Sequence, residues 1–369
     1  MPSTQREPDG PIQGRLHVFV AFDWGDEIDL ERVARLIGGE PHQLRRRRRT
    51  PSSIDYRPAP LRLVLEPPQL ELEALRGVAV TAELTIFDFA AVSVRLQVPL
   101  ALRRDQFTQL AAQLAEPAGL VSAIRRLVEP VYDKLRPAII DAELSPASEE
   151  YFVFEFPPQG ALPAIEQLLV GDADWLAGLV RLEADPLSGD EVREALRLRI
   201  SYAPTDLFVP DWSAAVLVDE NCAETLEAIE FANLQLLEFR YTDQRLDTRL
   251  AEAYRLIHPL ARTWLPPWRS LSRPLRELGD LRIEAHAISD RAGNVLKLIG
   301  DQYLARVYRL VATRFHLDQW EQSIRRSLDV VEEVYRTISD QSATYRAEFL
   351  EIVIVLLIAF EIGMALWRG

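Results

Sequence analysis

Cys222 is the single cysteine in a chain of 369 residues. It excludes an intramolecular disulfide and every multi-cysteine zinc or iron–sulfur site. Lysine is almost as scarce. Lys134 and Lys297 are the only two, so nearly all of the 42 basic side chains are arginine, a bias expected of a GC-rich bacterial genome. No phosphate-cradling GxxxxGK[ST] loop can form around those lysines, and no GxGxxG, HExxH or GxSxG pattern occurs. The histidines, His17, His42, His258, His286 and His316, are scattered, with no two at a ligand spacing on one element. The first fifteen residues have no apolar core for a signal peptide, and Glu7 and Asp9 spoil an Arg-rich transit peptide. The body of the chain is therefore expected to stay in the compartment where it is made.

Positive charge is also in deficit. Fifty-six acidic side chains leave a net charge of −14, which excludes nonspecific coating of DNA through the whole surface. An apolar content of 48% with 27% charged residues describes a folded chain, and its length suggests two structural units.

The C-terminal segment Phe349–Trp367 departs from this average, with an apolar run from Ile352 to Phe360. Nineteen helical residues would measure roughly 28 Å, near the ~30 Å of a hydrocarbon core. The expectation is a transmembrane helix and tail anchor over residues 349–367. Glu351 and Glu361 oppose insertion, each costing up to about 3 kcal/mol, and the aliphatic residues outweigh them. A buried core helix is the alternative. Ala359 and Gly363 form a small-xxx-small pair, so Glu351, Ala359, Glu361 and Gly363 are candidate contacts between membrane helices.

From Asp318 onward the pattern is helical. Ile324, Leu328, Val331, Tyr335, Ile338, Ser342, Tyr345, Phe349 and Ile352 alternate steps of four and three, an a/d seam with charged outer positions. A similar stripe at Leu296, Ile299, Tyr303, Val307, Leu310 and Arg314, followed by a short link, predicts a helical hairpin of Pro274–Thr313 and Asp318–Ala347. Another long helix is expected over Cys222–Ile257. Between it and the hairpin lies a proline- and tryptophan-containing connector around Trp264, Pro266, Pro267 and Trp268.

Residues 14–220 read as an α+β head domain with an antiparallel sheet. Strand-like runs occupy Arg15–Phe22, Leu61–Leu65, Val78–Phe87, Ala91–Val98, Tyr151–Phe156, Leu196–Tyr202 and Ala214–Val218. Helical patterns fall at Leu30–Ile37, Arg104–Leu114, Val121–Ala142 and Ile165–Leu182. The expected order is a disordered residue 1–13 segment, the head, a helical stalk over 221–348 and the anchor.

Two clusters could carry chemistry. Asp23, Asp26, Glu27 and Asp29 could hold a divalent ion, or form an acidic turn before a helix N-terminus. The Asp172-x-Asp174 pair is weaker. The five consecutive arginines Arg45, Arg46, Arg47, Arg48 and Arg49, with Arg57 and Arg62 nearby, could contact RNA or anionic headgroups, or form a solvated loop. His17, within a strand-like run, reads as a structural histidine.

The C-terminal half resembles the RMD1/YagE-like family, proteins of unknown function named for a requirement in meiotic nuclear division. The resemblance rests on Leu226–Ile257, with Leu236-Leu237-Glu238-Phe239-Arg240 and Leu246-Asp247, and on the Leu-Glu and second Glu of Phe349–Leu366. With the intervening hairpin it covers about 145 residues, and a looser likeness extends to Arg15–Phe22 and Thr85–Val98. It implies a membrane-anchored, non-catalytic factor with no catalytic residue to transfer. Eukaryotic relatives sit in the mitochondrial inner membrane and support translation, or act in meiosis and sporulation.

The combined expectation is a non-enzymatic scaffold, anchored in a bacterial inner membrane with its head in the cytoplasm. It would lack a cofactor and a small-molecule substrate and self-associate through the coiled coil and anchor. The alternatives are an RNA- or ribosome-associated factor using Arg45–Arg49, and a metal-dependent enzyme.

Overall fold

The computed structural model describes residues 10–37, 40–41, 59–69, 75, 77–158, 162–260, 279 and 302–368. The chain divides into two compact units, Met1–Glu238 with Asn294–Asp318, and Phe239–Gly293 with Gln319–Gly369.

The first unit is built on one sheet. Its strands are β1 (Ile12–Asp23), β3 (Glu40–Pro41), β4 (Leu61–Leu65), β5 (Thr81–Ile86), β6 (Ala91–Leu102), β8 (Ser148–Phe156), β9 (Leu207–Pro210) and β10 (Ala214–Val218). They lie in the order β3-β4-β5-β6-β1-β8-β10-β9, while β2 (Glu27–Ile28) and β7 (Ile139–Ile140) form a separate small ribbon. All pairings in the large sheet are antiparallel except β8 with β10, so the sheet is mixed rather than antiparallel as expected.

Central β1 reads as a nearly continuous apolar run because both of its faces are covered. One face, with Leu16, Val18, Val20 and Phe22, packs under α1 (Leu30–Ile37), α2 (Arg104–Leu114), α3 (Ala118–Leu135), α4 (Ile165–Gly171), α5 (Ala173–Arg181) and α6 (Gly189–Ala195). Phe107 of α2 sits against the rings of Phe154, Phe156 and Trp175 at the centre of that layer. The opposite face, with Ala21, Phe87 and Ala91, is covered by Leu234 and Leu237 of α7 (Ala223–Leu260). Asn233 of α7 donates to the Glu149 carbonyl at 3.0 Å, and Phe315, following α8 (Gln302–Arg314), meets the Tyr151 ring edge-on at 5.1 Å.

Local chemistry explains where element boundaries depart from expectation. The helix expected to reach Ala142 ends at Leu135 and tightens into a 3-10 turn at Arg136–Ala138. Pro137 supplies no N–H to continue the α-helical hydrogen-bond ladder. The pattern over Ile165–Leu182 is two helices, broken at Asp172, whose φ of −125° and ψ of 21° are not helical. The alternating stretch Leu196–Tyr202 is not a strand, but an isolated bridge joins Ile200 to Phe208 and the strand lies at β9. Its arginines close the end of α6 instead. Arg199 donates to the Leu196 carbonyl at 2.7 Å, and Arg197 pairs with Glu194 at 2.8 Å. The N-terminus of α6 is capped by Ser188, which accepts from the Glu191 N–H at 3.2 Å.

The last helix, α9 (Leu317–Arg368), runs unbroken for 52 residues. Ile324, Leu328 and Val331 of the expected seam are buried on it. Tyr335, Ile338 and Tyr345 fall within its backbone span, but their side chains lie outside the described residues. The expected transmembrane segment is not upheld, because no helix among the described residues is long and apolar enough to cross a membrane. Glu351 and Glu361 limit the uninterrupted apolar run to Ile352–Phe360, about 14 Å of helix against a core of about 30 Å. A single-pass C-terminal anchor is therefore not supported, nor is the inner-membrane placement built on it. Glu351, Ala359, Glu361 and Gly363, expected to touch other membrane helices, are exposed positions of α9.

Candidate functional site

The chemistry-bearing side chains that the fold brings together most closely lie on the α7-covered face of the sheet. On β1, Arg15 and His17 are two residues apart and share that face with Phe19. In the antiparallel pairing with β8, Arg15 stands opposite Glu155 and His17 opposite Val153, so Glu155 reaches both basic residues. Its two oxygens are divided between them. Oε1 accepts from Arg15 Nη1 at 2.8 Å, and Oε2 lies 2.6 Å from His17 Nε2. Cys222, immediately before α7, contributes its thiol to the same carboxylate. One donor atom each from His17, Glu155 and Cys222 lies within 4.8 Å of the others, and all three residues are buried.

Burial pushes the His17 imidazole below its ordinary pKa and outweighs the opposing pull of Glu155. Burial would raise the Glu155 carboxyl, but the His17 hydrogen bond and the charges of His17 and Arg15 hold it below the usual carboxylate range. A neutral His17 donating from Nε2 to an ionised Glu155 satisfies both directions. Burial and the neighbouring Glu155 push the Cys222 thiol up to about 12, so it is held protonated. His17 Nδ1 is buried without a hydrogen-bond partner.

Glu155 also lines an open pocket of about 510 Å³ with Arg15, Asp219, Glu220 and the prolines Pro157 and Pro158. Three carboxylates against one arginine make this opening acidic. Gly14 lets the chain pass close by, since a Cβ there would meet the Glu155 carbonyl oxygen at 2.9 Å.

Sequence reasoning missed this triad because His17 and Glu155 are 138 residues apart. A signal was present. Glu155 is the only charge in the run Tyr151–Phe156, and a lone carboxylate among core strand residues requires a partner.

The residues singled out from sequence have other roles. Asp29 caps α1 by accepting from the Arg32 N–H at 2.9 Å, and Asp23 accepts from the Gly25 N–H at 3.2 Å. Among the described residues the Asp23–Asp29 donors do not converge as a metal-binding group. Asp172 is paired with Arg104, and Arg62 lies 3.8 Å from both Glu83 and Glu230. Arg62 therefore belongs to a structural network across β4, β5 and α7, which Arg95 joins through Glu83. Arg45, Arg46, Arg47, Arg48, Arg49 and Arg57, together with Leu296, Ile299 and the Trp264–Trp268 connector, lie outside the described residues.

A second candidate surface is the end of α9. Phe349, Leu350, Ile352, Ile354, Leu356 and Ile358 are exposed there, as are Phe360, Ile362 and Trp367. A Cβ added at Gly363 would meet nothing within 4 Å.

Comparison with known proteins adds a family without an assigned activity. Residues 13–224 match the family model described as "Uncharacterized protein MJ0711, N-terminal domain". The "Uncharacterized protein MJ0711" of Methanocaldococcus jannaschii is 27% identical over 193 residues, which cover 52% of this chain and 58% of that relative. The match thus spans less than two thirds of the relative's length. No solved structure matches the chain.

Proposed function

The chain belongs to the family of the MJ0711 N-terminal domain, which is uncharacterized, and on that premise we propose that it is a non-enzymatic scaffold that associates with a second copy of itself through α9. The observation that carries this reading is the run of exposed apolar side chains from Phe349 to Trp367 on one continuous helix. An apolar surface of this length facing water is costly, at about 25 cal/mol per Å² left uncovered, and such surfaces mark interaction sites. A second copy is the occupant because it presents the same apolar length in the same helical form, and self-complementary contacts are the commonest route to assembly. Ala359 and Gly363, four residues apart, give that contact a face on which two helix backbones approach closely, and the space beside Gly363 is open. Ile324, Leu328 and Val331, earlier on the same helix, are already buried within the chain, so the contact with a second copy is confined to the exposed end of α9.

The resemblance of the C-terminal half to the RMD1/YagE-like family, whose members are read as non-catalytic, favours a scaffold over an enzyme. A kinship to that family finer than the MJ0711 match is part of this proposal.

The test is the mass of the purified full chain across a concentration series, with Leu356→Asp as the variant. Each copy would lose about 1.5–3 kcal/mol of apolar burial, so a dimer constant should weaken at least about a hundredfold. A wild-type dimer or higher assembly that the variant converts to monomer supports the reading. A monomer at every concentration, an unchanged variant mass, or occupancy of α9 by a different macromolecule overturns it.

A further inference from the structure

The buried triad on β1, β8 and the start of α7 offers a nitrogen, a carboxylate oxygen and a sulfur to one point, each from a different element. That donor set suits a borderline-soft cation that accepts all three atom types, and Zn²⁺ with three protein ligands is the common case. We propose that His17, Glu155 and Cys222 form a Zn²⁺ site whose fourth position is open to water. The assignment is independent of the scaffold reading, which concerns α9.

Three features of the geometry support it. First, Glu155 is already divided. Oε1 is held by Arg15 at 2.8 Å, which leaves Oε2 to turn toward an ion without losing its charge partner. Second, the present Nε2–Oε2 separation of 2.6 Å is that of a hydrogen bond. Two ligands about 2.1 Å from a tetrahedral zinc stand roughly 3.4 Å apart, so binding opens the pair by less than about 1 Å. Third, the protein does not use the full bonding capacity of the imidazole, because Nδ1 is buried and unpartnered. Buried polar atoms of this kind are uncommon and call for a further group nearby. The acidic pocket that Glu155 lines with Asp219 and Glu220 supplies a path for a cation from solvent.

On binding, the Cys222 S–H bond breaks, a Zn–S bond forms and the thiol proton leaves to solvent. The single His17 N–H proton moves to the free Nδ1 if Nε2 is the ligand, and stays on Nε2, hydrogen-bonded to Glu155, if Nδ1 is. No electrons are transferred in either form. Each proton released makes affinity rise with pH.

The lone cysteine makes the test direct, since any metal–thiolate signal from this chain comes from Cys222. The full chain, stripped with a chelator, is titrated with Co²⁺ and then with Zn²⁺. The expected result is one Co²⁺ per chain with a near-ultraviolet sulfur-to-cobalt charge-transfer band, which Zn²⁺ displaces. Cys222→Ser should abolish the band, and His17→Gln should weaken cobalt binding at least about tenfold. Cobalt bound without the band, or no cobalt bound, overturns the assignment. Should either variant fail to fold, the spectrum of the native chain decides alone.

Discussion

Replacing Arg314 by methionine should loosen α8 from the first unit, and the size of the effect follows from what its guanidinium holds. Arg314 is only 9% exposed at the end of α8. Its Nη2 donates to the carbonyls of Glu194 and Ala195 at 2.6 and 3.2 Å, at the C-terminal end of α6, where the Glu194 carbonyl also accepts from the Arg197 N–H at 3.2 Å. Its Nη1 reaches Glu194 Oε1 at 3.2 Å and stands 3.7 Å from buried Asp211. Methionine keeps most of the apolar stem, so the loss is chiefly of charged hydrogen bonds. Each carbonyl contact contributes about 1.5 kcal/mol because its donor is charged. The Glu194 carboxylate is solvent-screened, so that pair adds little. Asp211 retains Arg181 at 3.0 Å, so its charge is not stranded. The expected cost is about 3 kcal/mol, a factor of roughly a hundred in the opening equilibrium. Lysine keeps the charge but cannot fork to two carbonyls, and Arg314→Lys should cost about half as much. Urea unfolding of the full chain, with amide exchange read over residues 302–314 and 189–195, measures both variants. A loss below about 1 kcal/mol for methionine, or a lysine variant equal to wild type, would refute the idea that the fork docks α8 onto α6.

Acidification and a tight turn offer two further tests. Burial lowers the His17 pKa from 6.5, so between that folded value and 6.5 the unfolded chain binds a proton that the folded chain rejects. Stability should therefore be fullest above pH 6.5 and fall as pH drops below it, with a further loss once pH passes through the lowered Glu155 value. Urea midpoints from about pH 7.5 to 5 should slope less in His17→Gln than in wild type, and equal slopes would remove His17 as the source. Gly25 has a φ of +146°, and a Cβ there would meet the Ile140 carbonyl oxygen at 2.8 Å. Gly25→Ala should lower stability by at least about 2 kcal/mol in thermal unfolding.

The elements legible in the sequence were those whose pattern is local. β4 and α2 fall where the apolar spacing puts them, and the long helices α7 and α9 follow from their periodicity. What was not legible depended on partners distant in the chain. The alternation in Leu196–Tyr202 looks like a strand until Arg197 and Arg199 are seen closing α6. The parallel pairing of β8 with β10 requires a crossover of about sixty residues that no local signal fixes. The His17–Glu155–Cys222 triad needs the β1–β8 register and the position of the α7 start together. The terminal apolar segment shows the opposite failure. Its average hydropathy was easy to read, but the two glutamates decide its continuity, and an average hides their positions.

The covering of the sheet on its α7 side bears on where this protein can be cut. The stretch that matches the family model ends at residue 224, at the first residues of α7. Leu234, Leu237 and Phe315, which shield Ala21, Phe87 and Tyr151 from water, all come later in the chain. A fragment stopped at 224 would keep every strand and still leave Ala21, Phe87 and Tyr151 uncovered on one face of the sheet. The smallest autonomous piece is therefore discontinuous in sequence, and a soluble excised head would have to retain both the opening turns of α7 and the α8 segment that returns to it.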